Sequence, residues 1–302
     1  AVISINQTVY CLLFTVNFFS NCKLCYYFHI MRNKYKLFIT DIDGTLANSK
    51  GVIAEKDLLA LQKLHRNGIN VSLCSGRPAG GCVKFLKKLD IEGFHIFFDG
   101  ALITDSSLSS SVYHKHVEPE LLSQIENISV QHNLALELFT HSGFFVSRPH
   151  RLADEHADLL SFYPEIADLP KVIESEPVVL ACIVIDYPDE KEILSLLEPL
   201  QSKLSIGSTS SVVVPDIRFI NITARGVSKG TAFTALLDRY GLTKEEVVAI
   251  GDGTNDIPLL EHAGLAVAMD NSPDSVKRIA DFVTGDVEHF GLSQAVERIF
   301  ME

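Results

Sequence analysis

Two aspartates near the start of the chain, Asp41 and Asp43, have the type and spacing that carboxylate chemistry requires. Residues two apart point the same way along an extended chain. Two like charges this close are unfavourable unless a cation shares them, and hard oxygen ligands suit Mg²⁺. One carboxylate of such a pair can act as a nucleophile and the other as a proton shuttle. Alone the pair is a weak signal, and the prediction of a reactive magnesium site depends on the further residues that join it.

Three further groups of residues could complete the same site, two of them suited to an anionic ligand and the third to the cation. Ser75 and Gly76 offer a hydroxyl and free backbone amides at the entry to a helix, which is a cradle for an anion. Lys229 lies near the start of a predicted helix, where a cation opposes the helix macrodipole, and an anionic substrate would give it a reason to be there. Asp252 and Asp256 add two carboxylates in a Gly-rich turn.

The elements that must position these residues alternate between strand and helix. Apolar runs at 35–40, 69–74, 95–98 and 247–250 each end in polar residues, and predicted helices separate them. Runs of this kind are typical of strands in a parallel sheet that is buried on both faces. Ligands of such a sheet bind beyond the carboxyl ends of the strands. The polar groups should therefore converge on one edge.

The middle of the chain interrupts this alternation. Between residues 117 and 212 the pattern changes to a mixture of helices, a hairpin and further strands. We therefore predict an α/β fold, with a Rossmann-like parallel-sheet core formed by residues 31–116 and 213–302. Residues 117–212 are predicted to form an inserted α+β cap domain. The cap should set substrate specificity, and hinges are expected near residues 115–118 and 211–216.

Composition narrows the classes of partner. Lys and Arg total 26 against 38 Asp and Glu, for a net charge of −12, so the chain lacks the basic footprint of a nucleic-acid binder. The apolar run at 9–19 is too short to cross a membrane as a helix. We expect a protein with neither nucleic-acid nor membrane partners.

The first thirty residues differ from the rest. The chain begins with Ala1, and its first methionine is Met31. We expect residues 1–30 to be a non-native or disordered extension. The later cysteines, Cys74, Cys82 and Cys182, lie in apolar or mixed surroundings and are predicted to be buried thiols, which is typical of a cytoplasmic protein.

Four segments together resemble the motifs of one family. They read FITDIDGTL at 38–46, SLCSGR at 72–77, GVSKG at 226–230 and GDGTND at 251–256. In this order they resemble the haloacid dehalogenase superfamily. The insert between the second and third motifs resembles the Cof-type phosphatases, which carry a large α/β cap at that position. The resemblance covers residues 31–300.

The resemblance implies catalytic roles for the aspartates. Asp41 would attack phosphorus and become an aspartyl-phosphate. Asp43 would protonate the leaving oxygen and then activate water. Magnesium would be held by Asp41, by the backbone carbonyl of Asp43 and by Asp252, while Asp256 ligates or orients. Mg²⁺ is thus the expected cofactor.

The resemblance also implies the phosphate-binding residues. Ser75 and Lys229 would bind the phosphoryl oxygens, and Asn255 would position the phosphoryl group or Lys229. Asp99 departs from the family pattern, since relatives commonly carry Asn there.

The favoured function is hydrolysis of a small phosphorylated metabolite, such as a sugar phosphate. A phosphomutase shares the same capped architecture, and release of inorganic phosphate separates the two. A non-catalytic regulatory protein that binds a phosphometabolite is a further alternative, although only chemistry needs both Asp41 and Asp43. Arg148, His150 and Arg151 could contact the leaving group, but a solvated loop is the favoured interpretation.

Overall fold

The structure, a computed structural model, describes residues 34–141, 143–209 and 214–301. The predicted extension at 1–30 lies outside the described residues, as does most of the strand predicted at 211–214. In the described part of the chain, no helix is both long and apolar enough to cross a membrane.

Strands and helices alternate through most of the chain. The strands are β1 Leu37–Thr40, β2 Asn70–Leu73, β3 Phe94–Phe97, β4 Leu102–Asp105, β5 Ser111–His114, β6 Ala135–Thr140, β7 Phe144–Val146, β8 Glu165–Ile166, β9 Val178–Asp186, β10 Leu204–Thr209, β11 Ile217–Ala224, β12 Val247–Gly251, β13 Leu265–Ala268 and β14 Phe282–Val283. The helices are α1 Glu55–Arg66, α2 Ala79–Leu89, α3 Pro119–Gln131, α4 Arg151–Leu160, α5 Leu169–Ser175, α6 Glu190–Leu197, α7 Lys229–Tyr240, α8 Ile257–Leu260, α9 Asp274–Lys277 and α10 Gly291–Phe300.

The first sheet has five parallel strands in the order β14-β13-β12-β1-β2. Side chains of β1 alternate between its faces, so Phe38 enters one hydrophobic cluster and Leu37 and Ile39 enter another. Helices α1, α2 and α10 contribute to the first cluster and α7 to the second. The α/β class and the parallel core sheet predicted from the sequence are confirmed.

The third predicted strand forms only an edge of this core. β3 meets β2 through a single parallel bridge between Cys74 and Ile96. It pairs antiparallel with β4, and β4 pairs with β5, to give a three-stranded sheet. An apolar run indicates a buried strand but does not reveal the direction of its neighbour, because both pairings bury the same residues.

The second large sheet has six strands in the order β10-β11-β9-β6-β7-β8. Leu138 and Ile183 on one face join a cluster with residues of α3, α5 and α6. The side chains of Glu137, Phe139 and Cys182 lie on the opposite face of the sheet, which α4 covers. This α+β arrangement is the inserted cap that the sequence predicted.

The end of the insert differs from the sequence prediction. The predicted boundary at residue 212 precedes β11, which pairs antiparallel with both β9 and β10. The second sheet therefore continues to Ala224. We propose an insert that begins near residue 117, as predicted, and ends at Ala224 rather than at residue 212.

Candidate active site

The polar residues singled out in the sequence lie at one edge of the first sheet. Asp41 directly follows β1, Ser75 lies just beyond β2, and Asp252 follows β12. Because these strands are parallel, their carboxyl ends meet at the same edge. A cleft of about 650 Å³ opens there, bounded on its other side by the second sheet and α4.

Lys229 lies between two of the carboxylates. Its Nζ is 2.5 Å from Oδ1 of Asp41 and 2.6 Å from Oδ1 of Asp256. Lys229 is the first residue of α7, and the Ser228 side chain caps that helix. Its side chain is completely buried. The unfavourable interaction between the Lys229 ammonium and the helix macrodipole is thus outweighed by its attraction to two close carboxylates.

Burial and charge act in opposite directions on Asp41. Burial raises the pKa of Asp41 well above its ordinary value, while the ammonium of Lys229 lowers it and the nearby Asp256 raises it. An ionised nucleophile in this position therefore depends on positive charge around it.

Asp252 is held by groups that fix its orientation. Thr45 Oγ1 donates to its Oδ1 at 2.7 Å, and Asn271 Nδ2 donates to its Oδ2 at 3.1 Å. Burial raises the pKa of Asp252 to about 6. Gly44 allows this close approach, since a Cβ at residue 44 would lie 2.3 Å from Oδ2 of Asp252 and its φ of +84° suits glycine.

Three carboxylates could hold a cation at this edge. Asp41, Asp252 and Asp256 offer oxygen atoms that all lie within 4.8 Å of one another. Asp256 also accepts the backbone amides of Asp252 and Gly253 through Oδ2, at 3.0 and 2.8 Å. Three carboxylates face one ammonium, so the set carries excess negative charge. An oxygen-only, electron-rich set of this kind fits a hard divalent cation.

The Asp43 carboxylate is held apart from this set. Arg77 donates to its two oxygens through Nε and a terminal nitrogen, both at 2.7 Å. The Asp43 side chain is 49% exposed, whereas that of Arg77 is 14% exposed. Sequence analysis predicted Asp43 but gave Arg77 no role, although Arg77 stands inside the second motif.

The predicted phosphate-binding residues line the cleft, apart from buried Lys229. Ser75, Gly76 and Asn255 all border it. Ser75 Oγ accepts the backbone amide of Arg77 at 3.1 Å, so its own hydrogen remains for a ligand. Asn255 donates to Oδ1 of Asp99 at 2.8 Å. Sequence analysis noted Asp99 as a departure but did not foresee this contact; its position at a strand end was the available signal.

The opposite wall of the cleft is largely aromatic and apolar. It consists of residues from the second sheet and α4, including Phe139, His156, Leu160, Leu180, Phe219 and Asn221.

The three cap residues suggested from the sequence do not line this cleft. Arg151 pairs with Glu155 and Asp186, Arg148 donates to Asn133, and His150 caps α4. The solvated-loop alternative describes them better, because their partners are neighbouring surface groups.

Comparison with known proteins decides the family. Residues 38–296 match the family model of haloacid dehalogenase-like hydrolases, which is most of the chain. The chain belongs to the haloacid dehalogenase-like hydrolases. The four motifs and the capped sheet arrangement predicted this membership, and the match confirms it.

Solved structures of this family resemble the chain closely in fold. A haloacid dehalogenase-like hydrolase from Bacteroides thetaiotaomicron superposes with a TM-score of 0.81 at 29% identity, covering 88% of this chain and 100% of the other. A sugar phosphatase of haloacid dehalogenase subclass IIB superposes with a TM-score of 0.71 at 24% identity, covering 87% and 98%. At that identity the second comparison supports the fold alone.

Curated relatives include phosphatases. A Bacillus subtilis phosphatase is 27% identical over 284 residues, covering 87% of this chain and 99% of its own. The 5-amino-6-(5-phospho-D-ribitylamino)uracil phosphatase YcsE of Bacillus subtilis is 26% identical, covering 86% and 94%. The predicted enzyme class, phosphoric monoester hydrolase, is confirmed for the matched region.

One relative is much longer. The chain spans about half, 47%, of the chloroplastic endoribonuclease YBEY of Arabidopsis thaliana, at 27% identity over 290 residues.

Proposed function

We propose that this haloacid dehalogenase-like hydrolase is a magnesium-dependent phosphatase that hydrolyses a small phosphorylated metabolite through an aspartyl-phosphate on Asp41. The observation that carries the proposal is the buried contact of Lys229 Nζ with Asp41 Oδ1, 2.5 Å long, at the strand edge that borders the cleft. A charge-paired carboxylate at the end of this cleft is placed for attack on phosphorus.

Asp41 has one oxygen available for that attack. Lys229 engages Oδ1, and Oδ2 accepts no hydrogen bond from the residues that the structure describes. Oδ2 would form the bond to phosphorus while the bond from phosphorus to the leaving oxygen breaks. Water then attacks the aspartyl-phosphate, which releases inorganic phosphate and regenerates Asp41.

Asp43 would serve both half-reactions as the proton shuttle. It would give a proton to the leaving oxygen and then take one from the attacking water. Arg77 donates one hydrogen bond to each of its oxygens, so each oxygen keeps a second lone pair that can take up a proton. Arg77 therefore acts as a positioning residue that fixes the orientation of the Asp43 carboxylate before the reaction.

Magnesium would be held by Asp41, by Asp252 and by the backbone carbonyl of Asp43, with Asp256 orienting the site through Lys229 and the amides of the turn. It would neutralise negative charge that one ammonium cannot balance. Ser75, the amide of Gly76, Lys229 and Asn255 would bind the phosphoryl oxygens.

The cleft and the relatives support the proposed substrate class. A volume of about 650 Å³ suits a small metabolite, such as a sugar phosphate or a similar phosphomonoester. The buried free thiols Cys74, Cys82 and Cys182 support a cytoplasmic location.

The test is phosphate release from a panel of phosphorylated metabolites with magnesium, with a chelator, and by Asp41→Asn. Asp189→Asn, at an exposed position outside the cleft, is the matched control. We expect release that needs both magnesium and Asp41. Isomerisation of a sugar phosphate without release would favour the phosphomutase instead, and binding without turnover would favour the regulatory alternative.

A further inference from the structure

A glutamate and a histidine form a buried pair on the wall of the cleft, and the proposed reaction gives neither a task. Glu137 lies on β6 and its side chain is completely buried, although a glutamate is rarely buried without a partner. His156 lies on α4, and its Nδ1 is 2.6 Å from Oε2 of Glu137. Such a short contact indicates a strong hydrogen bond between them.

His156 reaches the cleft while Glu137 lies behind it. The His156 side chain is 10% exposed and lines the cleft. Its ring lies 4.3 Å from the ring of Phe219 and meets that of Phe139 edge-on at 6.2 Å. These contacts fix the plane of the imidazole. Among the described residues, Nε2 has no hydrogen-bond partner, so it is the ring atom left for a ligand.

The burial of this pair determines which groups carry hydrogen. Burial raises the pKa of Glu137, and an unbalanced charge at a buried site costs several kcal/mol. Burial likewise raises the pKa of Cys182, the residue opposite Glu137 on β9, so that thiol stays neutral. Glu137 and His156 should therefore have no net charge together.

Two neutral arrangements leave no hydrogen of the pair without an acceptor, and both of them give Nε2 a hydrogen. If Glu137 is protonated, it donates to Nδ1, and the neutral ring carries its hydrogen on Nε2. If the proton has moved to the ring, both nitrogens carry one. A charged Glu137 beside a neutral ring would make Nε2 an acceptor, but it leaves a buried charge unbalanced. A Glu137 protonated on Oε1 would do the same, but Oε1 is buried and has no hydrogen-bond partner among the described residues, so its hydrogen would lack an acceptor. The pair thus presents a hydrogen-bond donor to the cleft.

We propose that His156 is a specificity-determining residue, whose Nε2–H donates to an oxygen on the leaving group of the substrate. Preferred substrates are then phosphomonoesters whose alcohol carries a further hydroxyl, carbonyl or carboxylate oxygen. Glu137 is a positioning residue that acts through His156. This inference rests on the proposed phosphatase function, because it concerns the leaving group of that reaction.

A metal site is the competing interpretation of the same residues. Glu137, His156 and Cys182 offer ligand atoms within 4.8 Å of one another. Two ligands of one tetrahedral zinc ion, each at about 2.0 Å from it, would lie about 3.3 Å apart. The contact of 2.6 Å between Oε2 and Nδ1 is shorter and has the length of a hydrogen bond. The geometry therefore favours the pair.

The test compares two kinds of substrate in the full chain with magnesium. Phenyl phosphate has no oxygen on its leaving group beyond the ester, whereas glucose 6-phosphate, ribose 5-phosphate and glycerol 1-phosphate have several. We expect His156→Phe to lower kcat/KM for the best oxygen-bearing substrate, relative to phenyl phosphate, by about 10- to 100-fold. The loss should lie mainly in KM.

Two variants separate recognition from structural support. His156→Gln supplies an amide hydrogen near the position of Nε2 and should recover part of the ratio, which a purely structural role would not predict. His132→Phe makes the same chemical change at an exposed histidine outside the cleft and should leave the ratio unchanged.

Glu137→Gln tests whether Glu137 acts through His156. An amide can pair with either tautomer of the ring, so the substitution should lower the ratio in the wild-type background. It should have no further effect on the ratio when combined with His156→Phe.

Three results would overturn the inference. One is an equal loss on both kinds of substrate in His156→Phe with no recovery in His156→Gln. Another is a bound metal ion that Cys182→Ser removes and that Cys82→Ser, at a buried thiol elsewhere, retains. Finally, no turnover of any substrate by the wild type, with phenyl phosphate included, would overturn the proposed function and this inference with it.

Discussion

At the scale of single residues, Lys229 balances the charge of the site. Its ammonium contacts Asp41 and Asp256, and all three side chains are buried. Removing one partner of a buried ion pair leaves a charge without compensation, at a cost of about 3–5 kcal/mol. We therefore expect Lys229 to contribute to folding, in addition to its proposed role in binding an anionic substrate.

We expect Lys229→Met to lower the thermal unfolding midpoint and to abolish phosphate release. Magnesium should restore part of the lost stability, because it binds the native carboxylates and supplies the missing positive charge. Thermal unfolding with and without magnesium measures both effects. Lys87→Met, at an exposed lysine of α2, is the control. A variant as stable as wild type without magnesium would contradict the charge balance inferred here.

The sequence predicted which residues lie at the site better than it predicted their hydrogen-bond partners. Asp41, Ser75 and Asp252 were predicted at one sheet edge because each follows an apolar run, and the structure places them there. Arg77 was missed as the partner of Asp43, since the contact depends on how two loops 34 residues apart approach each other. No local pattern encodes that approach.

At the scale of elements, β3 is fixed to the first sheet by a buried histidine. The backbone amide of Leu73 donates to Nδ1 of His95 at 3.1 Å, and Nε2 is 2.9 Å from Ser106 Oγ. Because Nδ1 accepts, the ring is neutral with its hydrogen on Nε2. Burial lowers the pKa of His95 to about 4.

This neutral histidine predicts a loss of stability in mild acid. In the unfolded chain His95 takes up a proton at its ordinary pKa of about 6.5, whereas in the folded protein it does so only near pH 4. The contribution of His95 to stability is therefore complete above pH 6.5 and is lost as the pH falls towards 4. The contribution of His95 is roughly 3 kcal/mol. His95→Asn keeps a hydrogen-bond acceptor at this position but does not take up a proton in this pH range. Its unfolding midpoint should depend less on pH between about 6.5 and 4 than that of wild type, and identical profiles would contradict the account.

Periodicity predicted the parallel strands and missed β11. The core strands are continuous apolar runs, and such runs indicate burial on both faces. In β11, Ile217 and Phe219 alternate, but Ile220 and Ile222 then follow on the other face, so no single period holds through the strand. The sequence boundary at residue 212 was placed too early for this reason.

At the scale of the whole molecule, two hydrogen bonds flank the point where the chain first passes from the core into the insert. The amide of Lys115 donates to Ala101 O of the first part of the chain, and the amide of Val117 donates to Val178 O of the second sheet, both at 2.8 Å. One residue, His116, separates these attachments, which supports the hinge predicted at 115–118. The second predicted hinge, at 211–216, lies partly outside the described residues. It also precedes β11, which pairs within the second sheet, so the return to the core follows Ala224 instead.

The end of α4 also touches α2 at the mouth of the cleft. A Cβ on Gly80 would lie 2.6 Å from the ring of Phe162, so Gly80→Leu should push the insert away from the core. We expect a larger radius of gyration in solution scattering and about 10-fold slower phosphate release, since a closed cleft excludes water and completes the site. Gly207→Ala, where an added Cβ meets nothing within 4 Å, is the control. A larger radius of gyration with a wild-type rate of phosphate release would argue against closure as a requirement.

The most direct test of the account is to trap the phosphorylated enzyme. The wild-type chain would be mixed with magnesium and its preferred substrate, quenched in acid within one turnover, and mapped by peptide mass spectrometry. The account predicts a phosphate on Asp41 that disappears as inorganic phosphate forms and that Asp41→Asn never acquires. Phosphate on another residue, or turnover by Asp41→Asn at the wild-type rate, would contradict it.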